Sequence, residues 1–140
     1  MYEQAYKILG GNRGDMSTVT QSLELIRNGI PSSMLEVSAQ YLGVTKKEFA
    51  VIIGESIRTL QRKSKNDAPL SPASSEHTLI LTELIRQADE YFEDVEKRKR
   101  WFMRPSAALG NSTPLSLCDT VTGINIVLEE INKLKYGLVA

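Results

Sequence analysis

Residues 45–65 read TKKEFAVIIGESIRTLQRKSK, and this stretch decides the fold. Thr45 followed three residues later by Glu48 is the pattern of a capping box, which predicts the start of a helix. Gly54 ends the apolar run and suits a tight turn, and Ser56 is a good N-cap for a second helix. The stretch therefore predicts two short helices joined by a turn.

The spacing of small and apolar residues in these helices is typical of a DNA-reading helix-turn-helix. Such a motif requires a small residue in its first helix, a glycine at the turn and an apolar residue where the helices cross. Ala50, Gly54 and Leu60 meet these requirements in order. The supporting core is predicted from Phe49, Ile53 and Ile57.

The outward face of the second helix carries the predicted DNA-binding residues. Arg58 and Arg62 are one helical turn apart, and arginine pairs well with guanine in the major groove. Thr59 suits a phosphate or a thymine methyl group, and Ser56 places backbone N–H groups where a phosphate can bind. A solvated basic face on a purely structural helix is the alternative. The full candidate set is Ser56, Arg58, Thr59, Arg62 and Lys63.

The rest of the chain also reads as helical, without a strand signal, so the predicted fold class is all-α. Residues 66–75, NDAPLSPASS, break the helical pattern and are predicted to be a linker. The expected organisation is a helix-turn-helix domain over residues 1–65 and a second helical domain over residues 76–140. Within the second domain, a long helix is expected from Ala73 to Glu96, which begins inside the linker.

The later elements of the second domain follow from its apolar pattern. A short helix is expected over Lys97–Met103, and compact turns over Pro105–Gly123. A final helix is expected from Thr122 or Gly123 to Tyr136. One basic helix reads too few base pairs to be specific, so a homodimer is expected. Its predicted contacts are on the long helix, at Ile80, Leu84, Ala88 and Tyr91.

Composition and charge exclude several classes of protein. The chain has 140 residues and a formal net charge of zero, but residues 1–65 sum to +3 and residues 66–140 to −3. No apolar run approaches the roughly 18 residues that a membrane span needs, so a cytoplasmic protein without membrane contact is expected. With one cysteine and one histidine, no metal site, cofactor or catalytic set is predicted. Cys118 and His77 are interpreted as structural.

Residues 54–81, GESIRTLQRKSKNDAPLSPASSEHTLIL, are similar to the helix-turn-helix and linker of Xre-type bacterial antitoxins. The C-terminal half resembles the toxin-binding domain of the Xre/MbcA/ParS antitoxins that are paired with RES-domain toxins. The resemblance covers residues 29–140 and departs from the family at residues 77–81. The motif residues of the C-terminal half are Trp101, Pro105, Ala108, Leu109, Gly110, Thr113, Pro114, Leu115, Gly123, Val127, Leu128, Tyr136 and Gly137.

This resemblance implies a type II toxin–antitoxin function. RES-domain toxins degrade NAD⁺, and such an antitoxin binds the toxin near its active-site entrance and represses its own operon. The implied partners are a RES-domain toxin, operator DNA and a second copy of the chain. The predicted toxin-binding residues are Tyr136, Gly137, Leu138, Val139 and Ala140, because a free carboxylate on the last residue suits a cationic NAD⁺ site. The alternative is an ordinary helix-turn-helix regulator with a dimerisation or small-molecule-sensing domain.

Overall fold

The computed structural model describes residues 1–137, which form eight α-helices and three single 3₁₀ turns. Within this range the extended backbone pairs only at two isolated bridges, Pro31 with Pro69 and Ser106 with Ser112. The all-α prediction is therefore confirmed. The helices are α1 (Glu3–Ile8), α2 (Val19–Asn28), α3 (Ser33–Leu42), α4 (Lys46–Ile53), α5 (Ile57–Ser64), α6 (Pro72–Phe92), α7 (Val95–Met103) and α8 (Val121–Lys135).

Capping side chains start α4 and α5 where the sequence predicts. Thr45 accepts a hydrogen bond from the Glu48 backbone N–H at 3.0 Å, and the Glu48 carboxylate accepts one from the Thr45 N–H at 3.4 Å. Thr18 forms the same kind of box at the start of α2. Between α1 and α2, Arg13–Met16 forms a 3₁₀ turn that buries Met16.

The chain divides into two compact units, Met1–Glu83 and the part from Leu84 onward, so the division lies inside α6. In the first unit the beginning of α6 packs against α3. There the Ser38 and Thr82 hydroxyls lie 2.7 Å apart in a buried pair, and Thr82 also donates to the Thr78 carbonyl oxygen. These bonds satisfy polar groups that are costly to bury alone.

The segment predicted as a linker is part of the first unit. Leu70 is buried, and its N–H donates to the Ile30 carbonyl oxygen at 2.9 Å. Asp67 caps α3 by accepting a hydrogen bond from the Ser33 N–H at 2.9 Å, and this bond lowers the pKa of the Asp67 carboxyl. From Pro72 onward the predicted linker is already helical. The boundary between the compact units therefore lies further along the chain than the predicted linker. The assignment of DNA binding to residues 1–65 and of toxin binding to residues 76–140 stays a prediction.

This division changes the interpretation of the charge. Residues 1–83 contain nine basic and nine acidic residues, and residues 84–140 contain eight of each. Each compact unit is therefore neutral. The acidic character predicted for the C-terminal half came from Asp67, Glu76 and Glu83, which belong to the first unit. Electrostatic steering of a partner has to come from local clusters of charge rather than from either half as a whole.

The long helix predicted to end at Glu96 ends at Phe92 instead. Glu93 adopts a left-handed conformation with φ 56°, which an α-helix does not allow. Asp94 then caps α7 by accepting hydrogen bonds from the backbone N–H groups of Glu96 and Lys97. The charged residues of 89–100 are thus divided between two helices by a sharp break.

Helix α8 packs closely on the 3₁₀ turn that precedes it. Thr120 caps α8 by accepting a hydrogen bond from the Gly123 N–H at 2.9 Å. Gly123 is buried, and a Cβ there would collide with the carbonyl group of Leu117. Ile124, Val127 and Ile131 fill the core beneath α8, as its apolar stripe predicts.

Candidate functional site

The crossing of α4 and α5 has the core that the sequence predicts for a helix-turn-helix. Phe49 is fully buried, and Ala50 and Leu60 are each 1% exposed. Ile53 is also buried, and Ile57 is half-buried at the start of α5. A larger side chain at Ala50 would separate the two helices, so this small residue allows their close crossing.

The turn between the helices is held from both sides. Gly54 has φ 74°, in the left-handed region that favours glycine, and no other group would meet a Cβ there. The Glu55 N–H donates to the Ala50 carbonyl oxygen at 2.9 Å. The Glu55 carboxylate accepts a hydrogen bond from the Ser74 hydroxyl at 2.6 Å. The turn is therefore fixed to the start of α6 within the first unit.

The outer face of α5 presents a basic groove of about 400 Å³. Arg58 and Arg62 are exposed and line it together with half-buried Thr59. Two further residues line the groove and were not predicted from the sequence, Gln61 and Lys65. Their spacing of three and seven residues from Arg58 places them on the same helical face and could have identified them. Glutamine pairs with adenine and lysine with phosphate, so both suit this surface.

Two of the predicted DNA-binding residues, Ser56 and Lys63, are not among the residues that line this groove. The Ser56 hydroxyl accepts a hydrogen bond from the Thr59 N–H at 3.0 Å and lies 2.8 Å from the Thr59 hydroxyl. These two side chains therefore satisfy each other, and the backbone N–H groups at the start of α5 remain as phosphate donors. Lys63 is half-buried and is not among the groove residues.

The end of α8 holds the described part of the predicted toxin-binding segment. Tyr136 is 72% exposed, and Gly137 is exposed with φ 67°. The remaining predicted residues, Leu138, Val139 and Ala140, lie outside the described residues. Next to Tyr136, Lys135 donates to the Glu90 carboxylate at 2.7 Å, and this hydrogen bond lowers the pKa of Glu90. The bond ties the end of α8 to α6 within the second unit.

Other exposed apolar side chains on α8 extend this surface. Ile126 is 41% exposed and Leu134 is 37% exposed. Ile126 lies off the main apolar stripe in the sequence, which already marks it as a contact candidate. Leu134 has the helical spacing of the buried Val127 and Ile131, and its exposure is a finding of the structure.

The four predicted dimer contacts on α6 differ in how exposed they are within a single chain. Leu84 is 2% exposed and Ala88 is 0% exposed, so within a single chain both belong to the core. Ile80 is half-buried. Tyr91 is 41% exposed, and its ring packs edge-on against Phe92 with a centroid distance of 4.9 Å. An α-helix buries one face, and the same face cannot serve both the core and a partner.

Residues 1–137 contain no group of three or more His, Cys, Asp or Glu side chains placed to hold a metal ion. Cys118 is fully buried, and desolvation raises the pKa of its thiol to about 12, with a smaller contribution from Asp119. No helix in this range is both long and apolar enough to span a bilayer.

Comparisons with known proteins assign both parts of the chain. A model of the antitoxin Xre-like helix-turn-helix domain matches residues 21–79, and a model of the antitoxin Xre/MbcA/ParS C-terminal toxin-binding domain matches residues 87–137. The chain is 27% identical over 125 residues to the Prs ADP-ribosylating antitoxin of a Sphingobium species, covering 83% of this chain and 79% of that protein.

Two proteins named Antitoxin Xre are also similar to the chain. The one from Photorhabdus laumondii is 24% identical over 117 residues, which covers 83% of this chain and 79% of the relative. The one from Yersinia enterocolitica is 26% identical over 120 residues, which covers 85% of this chain and 81% of the relative.

Proposed function

Because the chain belongs to the Xre/MbcA/ParS family of antitoxins, we propose that it neutralises a RES-domain toxin and represses its own operon. Its role as an antitoxin with a helix-turn-helix domain is the premise. The nature of the toxin, the toxin's reaction and the self-repression are the proposal. The main support for the proposal is that one chain matches both a helix-turn-helix domain and a toxin-binding domain.

The surface of α8 supports a protein partner for the second unit. Ile126 and Leu134 on α8 and Tyr136, which follows the helix, are exposed, and each can bury apolar area against a toxin. Aromatic anchors such as tyrosine are enriched at the energetic centres of interfaces. We place the toxin contact here and extend it to residues 137–140, which follow directly.

A toxin that acts on NAD⁺ is the proposed partner. The resemblance to RES-associated antitoxins implies this chemistry. The Sphingobium relative is named for ADP-ribosylation, a reaction in which the transferred group comes from NAD⁺. A site that holds the pyrophosphate of NAD⁺ requires cationic donors, which a carboxylate of an antitoxin can occupy.

The basic face of α5 supports the proposed repression. Arg58 and Arg62 are exposed, and Gln61 and Lys65 lie beside them in the same groove. The segment 46–65 contains six basic and two acidic residues, a local charge of +4 within a neutral unit. The proposed homodimer would read two half-sites. Since Leu84 and Ala88 are buried, its contacts on this part of the chain are proposed at Tyr91 and Val95, which are both exposed.

Coexpression with the product of the neighbouring gene tests the neutralisation. The neighbour alone should arrest growth and deplete cellular NAD⁺, and coexpression of this chain should restore both. The two proteins should also copurify. A matched control is the Val121→Asp variant, which changes an exposed residue in the first turn of α8, about 140° around the helix from Ile126, and should still neutralise. If growth arrests without NAD⁺ loss but is still relieved, the chain is an antitoxin of another kind of toxin.

A further inference from the structure

A second cluster of cations, which includes none of the residues assigned to DNA or toxin, lies on α7 and at the residue that follows it. Lys97, Arg100 and Arg104 surround a cavity of about 210 Å³, whose other lining residues are the aromatic Phe92 and Trp101. Lys97 and Arg100 are three residues apart on one side of α7, and Arg104 is the extended residue that follows the helix. No acidic side chain lines the cavity.

The cations of this cavity differ from their neighbours on α7. Arg98 is buried and ion-paired with Asp89, and Lys99 lies 3.9 Å from the Glu96 carboxylate. In the described part of the chain, no carboxylate lies within 4.0 Å of the three cations that line the cavity. The Asp94 carboxylate accepts hydrogen bonds from the backbone at the start of α7. The cavity therefore keeps three cations available for an anion.

The aromatic rings give the cavity a rigid apolar wall. The Phe92 and Trp101 centroids are 5.7 Å apart, and Trp101 packs edge-on against Phe102 at 5.1 Å. Phe102 is 1% exposed, so it anchors the indole from the core side. Trp101 itself is half-buried, which leaves part of its ring open to a ligand. Planar aromatic groups stack on such a surface.

We propose that this cavity binds a nucleotide, with the base against Trp101 and the phosphate on Arg100, Arg104 and Lys97. Guanidinium groups bind phosphate with strong, paired hydrogen bonds, and a base stacked on an aromatic side chain adds affinity. The cavity is smaller than the roughly 300–1,000 Å³ of common ligand pockets, which suits one ring with its phosphate at the rim. The same chemistry is present in a free mononucleotide and in a single-stranded nucleic acid.

Intrinsic fluorescence reports directly on this site, because Trp101 is the single tryptophan of the chain. The full-length protein is titrated at low salt with AMP, with ribose 5-phosphate and with a short single-stranded oligonucleotide. Excitation is at the red edge of the tryptophan band, where nucleotides do not absorb. Saturable quenching is expected from a ligand with a base, whereas ribose 5-phosphate should compete without quenching. For the oligonucleotide arm, the Arg58→Ala/Arg62→Ala protein removes the groove on α5.

Two charge variants decide the outcome. Arg100→Ala should weaken nucleotide binding roughly tenfold, since it removes a charge-assisted contact to phosphate. Lys99→Ala, one residue away and outside the cavity, should bind as the original chain does. Saturation by AMP assigns the site to a free nucleotide, and saturation by the oligonucleotide alone assigns it to a strand. The proposal is overturned if neither ligand quenches up to millimolar concentration, or if both variants bind equally.

Discussion

Arg98 donates from Nε to the Oδ1 atom of Asp89 at 2.8 Å, and the guanidinium that makes this bond is buried. Asp89 lies near the end of α6, and Arg98 lies in the first turns of α7. The ion pair therefore spans the break at Glu93, where the backbone has φ 56°. A buried arginine is stable only with acceptors for its donors. The pair thus fixes the direction in which α7 leaves α6.

Removing the acceptor should destabilise the protein. Asp89→Ala deprives a buried guanidinium of a charge-assisted hydrogen bond, and we expect a loss of about 2–3 kcal/mol in the free energy of unfolding. Lys99→Ala is the matched control, because its pair with Glu96 is long and exposed and should contribute less than about 0.5 kcal/mol. Urea unfolding at neutral pH measures both. Equal stability of the two variants would contradict the structural role of the pair.

Gly123→Ala should destabilise the protein although the position is helical. In an open helix this change is stabilising by about 1 kcal/mol, because alanine has the higher helix propensity. Here the added Cβ meets the Leu117 carbonyl group, so α8 or the preceding turn must shift. We expect a loss of about 1–3 kcal/mol, the cost of overpacking. A thermal melt of the variant that is higher than that of the original chain would show that α8 is not held against this turn.

Local signals account for most of the fold that the sequence predicts. Thr45 with Glu48, Gly54 and Ser56 act over a few residues, and the structure places a cap, a left-handed turn and a cap there. The end of α6 could not be predicted in this way, because no glycine or proline marks Glu93. Asp94, an N-cap residue type, is a local signal for the start of α7, and the Asp89–Arg98 contact that spans the break joins residues nine apart.

The candidate sites follow the same distinction. Exposure of Arg58 and Arg62 could be predicted from helical periodicity around the buried Leu60. The cavity at Trp101 could not be predicted from the sequence. The acidic and basic residues of 93–100, just before it, have spacings at which charges pair on the surface of a helix. Which cations are paired depends on the break between α6 and α7. The burial of Leu84 in the core, rather than at a dimer contact, depends on tertiary packing in the same way.

The thiol of Cys118 should be inert in the folded protein. Burial raises its pKa to about 12, so almost no thiolate, the reactive form, exists near pH 8. Reaction with a disulfide reagent should be slow in buffer and rapid in denaturant. The unfolded thiol, with its ordinary pKa of 9.0, loses its proton first as pH rises, so stability should fall between about pH 9 and pH 12. Rapid labelling without denaturant would place Cys118 at the surface.

Ile126→Asp should weaken binding of the toxin without unfolding the antitoxin. The side chain is 41% exposed in the free chain, so a charge there is solvated until a partner covers it. A buried, unpaired carboxylate at the interface should then cost at least tenfold in affinity. Val121→Asp, on an exposed residue of the same helix, is the control. Calorimetry with the copurified toxin compares them, and equal affinities would move the contact away from this face of α8.

Arg58→Ala and Arg62→Ala should each weaken binding to the operator by about 1–3 kcal/mol, because each removes a proposed contact to a base edge. Lys65→Ala removes a proposed phosphate contact instead. It should weaken binding to operator and unrelated DNA alike and reduce the salt dependence by about one counterion. Lys7→Ala, an exposed change on α1 outside the matched helix-turn-helix, is the control. Fluorescence anisotropy at several salt concentrations separates these effects. If the arginine variants lose equal affinity for every DNA sequence, the α5 groove contacts only the phosphate backbone, and another surface must select the operator.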